Sequence, residues 1–177
     1  MMAMAILVAG GAGILALQQA TTDGNLEARQ MTTATQIART WAERLKRDTL
    51  LWTIGGNGVT AANLTTTAYL SAVPPATTAP VWTTPVPADL TQESYAFDFF
   101  GNDVVPAAAG VTYCVQDRLQ WVSPGQTIRA DVRVWWNRRG GGTRWAGCGV
   151  GSETAIGNSP SVHTVTTSVL LHWTRRQ

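Results

Sequence analysis

The chain has 177 residues, a formal net charge of +2 and only 14% charged residues, too small an excess of charge to attract nucleic acid or an acidic surface. The Arg side chains are scattered apart from Arg138–Arg139 and Arg175–Arg176, and neither pair makes a phosphate track. Beyond a long N-terminal helix, about 120 residues remain, enough for one compact domain with its own core.

The first fifty or so residues read as one helix with two unlike halves. Met1–Leu17 carries no charge and no polar side chain, and its apolar residues include Met4, Ile6, Leu7, Val8, Ile14, Leu15 and Leu17. A cleaved secretory signal is not indicated, because no Lys or Arg precedes Arg29. As a helix the run covers ~25 Å, about a turn short of a bilayer core, so a buried core helix and a membrane segment both remain open. Gly10, Gly11, Gly13 and the Asp23-Gly24-Asn25 stretch are weak points of helix propensity. Small residues also let helices approach closely in lipid.

From Gln18 the chain turns polar but keeps an apolar stripe. Ala34, Ala38, Trp41, Leu45 and Trp52, with Met31 and Ile37 beside them, recur in steps of three and four on one helix face. Ile37, Trp41, Leu45 and Trp52 are expected to pack on a sheet. Glu43 with Lys46 or Arg47, and Arg44 with Asp48, are spaced as solvated i,i+3 and i,i+4 pairs. Gly55-Gly56-Asn57-Gly58 is the expected helix end. Residues 1–25 therefore form a hydrophobic helix half. Residues 26–177 form a head comprising the amphipathic half, a Thr/Pro-rich loop over 53–93 and a sheet over 94–174.

Five prolines between Pro74 and Pro87 exclude helix and central strand there. The segment is a long excursion with a helical turn near Ala61–Leu70, and it either binds something or is disordered. The remainder alternates as antiparallel β. Tyr95–Phe100 is a strand, and Val111 to Trp121 a second whose period is broken only by Asp117. Ser123-Pro124-Gly125-Gln126 suits a type II turn. In the return strand Ile128, Ala130, Val132, Val134 and Trp136 point inward, with Arg129, Asp131, Arg133 and Trp135 outward. Val162 to Trp173 closes the sheet. The fold class is α+β, a long N-terminal helix packed on an antiparallel sheet of about four strands.

No catalytic constellation emerges. The glycine run after Arg139 lacks the Lys and Ser/Thr of a phosphate loop. His163 and His172 are nine apart on one strand, hence on opposite faces. Ser123 and Ser168 lack a nucleophile-elbow context, and Asp98, Asn102 and Asp103 suit a turn better than calcium. Cys114 and Cys148 lack CxxC spacing. A buried thiol pair and a disulfide both fit, the latter if the head lies outside the cytoplasm. No enzyme activity, cofactor or metal is expected.

The order of several segments resembles the type IV pilin-like proteins, and among them the V-type minor pilin of the type IV pilus. These segments are the opening MMAMAILVAGGAGILALQ, the helical Ala38–Asp48 run with Trp41-Ala42-Glu43-Arg44-Leu45, Tyr113-Cys114-Val115, Arg133-Val134-Trp135-Trp136, and Val162-His163-Thr164-Val165. The family's processing signal, a glycine followed by Phe-Thr-Leu and a glutamate, is not among these residues and is expected just upstream of Met1. The resemblance implies that Met1–Leu17 anchors in the inner membrane and later in the filament core, and that Cys114 and Cys148 form a structural disulfide. It implies a subunit that primes assembly and sits at or near the pilus tip. Its partners would be other minor pilins, the major pilin and a large tip adhesin, with N-terminal methylation, adhesion and twitching motility as the associated biology. Two other readings fit the same sequence: a minor pseudopilin of type II secretion, and a membrane-tethered periplasmic domain that binds a ligand with its Thr/Pro loop.

Overall fold

The computed structural model describes residues 2–54, 62–85, 93–106, 110–138, 148, 156 and 161–173, with side chains described from Gly11 onward except at 53, 54 and 62. Helix α1 runs unbroken over Met2–Asp48, through all the glycines. Strands β1 (Thr53–Ile54) and β2 (Ala62–Asn63) form a small antiparallel pair. β3 (Ala96–Phe97), β4 (Asp103–Val104), β5 (Tyr113–Ser123), β6 (Thr127–Asn137) and β7 (Val162–His172) form a five-stranded antiparallel sheet in the order β4-β3-β5-β6-β7. The fold is α+β. The chain divides into two compact units, Met1–Thr33 and Ala34–Gln177.

Within the second unit the helix roofs the sheet. Ala34, Ile37, Ala38, Trp41 and Leu45, joined by Trp52, share one core with Tyr113, Val115, Leu119, Ile128, Ala130, Val132, Val134, Trp136 and Leu171. The three-and-four spacing on the helix meets the two-residue spacing of the strands, which explains why one stripe and one sheet face are apolar. Trp41 and Leu45 are completely buried. Burying such side chains contributes roughly 2–3 kcal/mol each. Trp41 meets Tyr69 edge-on at 5.3 Å between ring centroids, and Trp52 meets Trp121 at 5.6 Å.

The central hairpin follows its turn chemistry. Gly125 has φ 76°, and the Gln126 N–H donates to the Ser123 carbonyl at 3.0 Å, as a type II turn requires of its third residue.

The expected layout stands with one strand beyond the four or so foreseen, and three other expectations need correction. The sheet gains a fifth strand because Asp98 closes a tight turn. Its carboxylate accepts the Phe100 and Asn102 N–H groups and the Asn102 side-chain amide, and Gly101 adopts φ 87°. For the same reason Tyr95–Phe100 is not one strand: only Ala96–Phe97 pairs, and Phe99-Phe100 belong to the turn. The α-helix ends at Asp48, passing through a 3₁₀ turn (Thr49–Leu51) into β1, whereas the glycines at 55–58 lie outside the described residues. Finally, the outward row of β6 is buried as well: Asp131, Arg133 and Trp135 are 4%, 6% and 2% exposed. The centre of β6 is covered on both faces, so binary alternation understated its burial.

Candidate functional site

Three groups of side chains can carry function: the apolar helix residues of the first unit, the polar junction at the C-terminal end of α1, and the second face of the sheet.

In the first unit Ile14, Leu15 and Leu17 are 60%, 62% and 70% exposed. Met4, Ile6, Leu7 and Val8 lie on the helix, but their side chains are outside the described residues. Added Cβ atoms at Gly11, Gly13 and Gly24 would meet nothing within 4 Å, so no packing inside the chain requires glycine there. The hydroxyls of Thr21 and Thr22 donate to the carbonyls of Leu17 and Gln18, both at 2.8 Å, which satisfies them without water. Among the described residues no helix is long and apolar enough to cross a membrane.

At the end of α1 the helix grips the chain that follows. The Asp48 carboxylate accepts three backbone N–H groups, from Ala68, Tyr69 and Leu70, at 2.8–2.9 Å. These open the 3₁₀ turn Leu70–Ala72, whose first N–H groups have no partner within the turn. Arg47 pairs with Glu93, and the Tyr69 hydroxyl donates to the same carboxylate. Burial pushes the Glu93 carboxyl upward, but the bonds from Tyr69 and Arg47 outweigh it and hold it below the ordinary range. Burial, then the bond to Glu93, raises the Tyr69 hydroxyl. Arg44 donates to Asp103 at 2.7 Å and to the Ser94 carbonyl at 3.3 Å, with its guanidinium 5.0 Å from the centre of the Trp41 ring. Of the local pairs expected on this helix, Lys46–Glu43 forms. Arg44, Arg47 and Asp48 instead take partners twenty or more residues away, because the head brings acceptors and donors within their reach.

The second sheet face is polar at its centre. Asp131 accepts from Arg118 Nε (3.1 Å) and Nη2 (2.8 Å), Arg129 Nε (2.9 Å) and Ser168 Oγ (2.6 Å). Burial raises its carboxyl, but these donors win and hold it below the usual range. Arg133 donates to Gln116 at 2.6 Å. Both Arg118 and Arg133 lie over the Trp82 ring, 4.7 and 4.4 Å from its centre, so the Thr/Pro loop is fastened to this face by cation–π attraction. Next to Trp82, Thr83 pairs with Asp117 by backbone bonds of 2.8 and 2.9 Å. Beside this polar centre, Cys114 and Cys148 are disulfide-bonded, 5.3 Å apart at Cα, and pack with Ala96, Trp135 and Ile156.

Asp117, the break in the β5 period, is buried on the helix-facing side of its strand, where Thr83 Oγ1 donates to it at 3.0 Å. Burial raises its carboxyl to about 6, against the smaller pull of Thr83.

These networks position chain segments. Ser168 hydrogen-bonds Asp131 without an imidazole between them, His163 stacks on Trp136, and His172 bonds Thr127. Asp98 and Asp103, weighed for calcium, are taken up by the turn and by Arg44. Among the described residues no cluster of three or more His, Cys, Asp or Glu is placed to hold a metal. Sequence reasoning gave Asp48 the wrong partner and missed Glu93 and Trp82. A carboxylate closing a helix is a detectable signal, whereas long-range partners are not.

No protein-family model, curated protein sequence or solved structure matches this chain. Function therefore rests on the residues, the fold and the exposed surfaces.

Proposed function

We propose that the chain is a minor pilin: a non-enzymatic subunit that primes type IV pilus assembly and stays at or near the tip beside other minor pilins and a large adhesin. The carrying observation is a single unbroken helix, Met2–Asp48, used in two ways. From Ala34 onward its stripe belongs to the head's core, whereas Ile14, Leu15 and Leu17 are exposed. Apolar side chains left to solvent on a helix call for lipid or other helices. The glycines with open space around them and the internally satisfied Thr hydroxyls suit such surroundings. The disulfide suits a head outside the reducing cytoplasm. On this reading the subunit waits in the inner membrane with its head in the periplasm, then moves to the cell surface with the filament.

Deleting the gene in its native host tests the reading. Loss of surface pili and of twitching, restored by the full chain, is the expected result. Intact pili with loss of protein secretion would instead identify a secretion pseudopilin.

A further inference from the structure

Among the described residues, each edge of the sheet except one is protected. The β4 edge is two residues long, with Asp103 held by Arg44. The flank of β5 beyond β3 is met by Thr83. β7 differs. β6 holds one side of it along all eleven residues, from Thr127↔His172 to Asn137↔Val162, and no described strand pairs with the other side. Alternate N–H and C=O groups along a free side form a template for another strand. The usual safeguards are missing: Val162–His172 contains no Lys, Arg, Asp, Glu or Pro, and its register with β6 has no bulge. Thr164, Thr166, Ser168, Leu170 and His172 are all exposed on the second face.

The sequence of this strand is close to symmetric about its centre: Val165-Thr166-Thr167-Ser168-Val169. We propose that the free edge of β7 pairs with β7 of a second copy of this chain, antiparallel and centred on Thr167. In that register Val165 faces the second copy's Val169, Thr166 its Ser168 and Thr164 its Leu170. Every pair joins residues of the same parity, so each face of the sheet continues into the same face of the other copy. The same alternate set of backbone groups also points outward from both copies, as antiparallel bonding requires. No charge meets a like charge, and the Thr–Ser and Val–Val pairs are favourable cross-strand neighbours. Two five-stranded sheets become one of ten strands.

Cysteine cross-linking of the purified full chain reads the register directly, and it separates edge pairing from association through the apolar helix. Facing residues lie about 4.5–5.5 Å apart at Cα, within disulfide reach. Thr167→Cys should oxidise to a covalent dimer bridged 167 to 167, identified by peptide mass after non-reducing electrophoresis. Thr164→Cys should give at least tenfold less, because its counterpart is six residues, ~20 Å, along the other strand. Val165→Cys mixed with Val169→Cys should yield a heterodimer, whereas neither alone should, each being ~13 Å from its own counterpart. The mixture decides the matter alone should the 167 variant fail to fold. Far-ultraviolet dichroism and the native Cys114–Cys148 bond certify folding in each case. Equal yields at every position, folded variants that remain monomeric, or capture of a foreign strand in place of a second copy would overturn the proposal.

Discussion

A carboxylate on the core side of a sheet is costly, and Asp117 shows how that cost depends on pH. Its carboxyl titrates at about 6 instead of the ordinary 3.8 because burial penalises the ion. Between those values the folded chain keeps a proton that the unfolded chain has released, so stability falls as pH rises from about 4 to about 6. Asp117→Asn keeps an acceptor for Thr83 and removes the charge. It should raise stability at pH 7–8 by up to about 3 kcal/mol, the equivalent of a shift of about two units, and change little near pH 4. Thermal melting of both proteins across that range measures the difference. Glu93 and Asp131 work in the opposite sense: their depressed carboxyls add stability above the ordinary carboxylate range and lose it as pH falls. Asp48 is a separate case, because its value lies in acceptors. Asp48→Ala leaves the N–H groups of Ala68, Tyr69 and Leu70 without it, and should cost about 2–3 kcal/mol in urea unfolding. Asp48→Asn should recover part of that.

At the scale of elements, legibility followed range. The stripe through Ile37, Trp41, Leu45 and Trp52, the Pro-Gly turn and the alternation of β5 to β7 depend on neighbours a few residues apart, so periodicity exposes them. The helix end and the second buried face depend on partners far along the chain, and no local pattern encodes those; the β3–β4 turn is local, closed by Asp98 on Phe100 and Asn102, and only the two-residue strand beyond it escaped the pattern. Arg44 illustrates the difference. By spacing it belonged to Asp48, yet Asp103, 59 residues on, holds it. Asp131, Arg133 and Trp135 read as solvent-facing because Trp82, Cys148 and Ile156, which lie over that face, come from outside the strand. Two substitutions weigh the covers on the two faces. Trp41→Ala empties the helix side of its largest fully buried side chain and should lose about 3–5 kcal/mol. On the other face Cys114→Ser with Cys148→Ser opens a link spanning 34 residues and should lose ~3–4 kcal/mol. Denaturant midpoints at constant slope would report both. A loss under 1 kcal/mol for Trp41→Ala would mean that the helix is not the roof of the sheet.

For the whole molecule, stability and the proposed assembly role fall on different residues. The core of the second unit runs from Ala34 to Leu171, whereas Ile14, Leu15 and Leu17 add nothing to it. A change in those three should therefore leave the head intact and affect only what the helix meets outside the chain. Leu15→Asp and Leu17→Asp each place a charge where a membrane or filament core would exclude it, at a cost of several kcal/mol in apolar surroundings. The purified variants should melt within about 0.5 kcal/mol of the parent, as exposed substitutions usually do. In the native host they should abolish pili as completely as deletion. Trp41→Ala supplies the contrast: it should lower the amount of folded subunit and reduce pili in proportion to abundance. If Leu15→Asp and Leu17→Asp support normal piliation at normal protein levels, the exposed apolar residues are not the assembly surface, and the minor-pilin proposal fails with them.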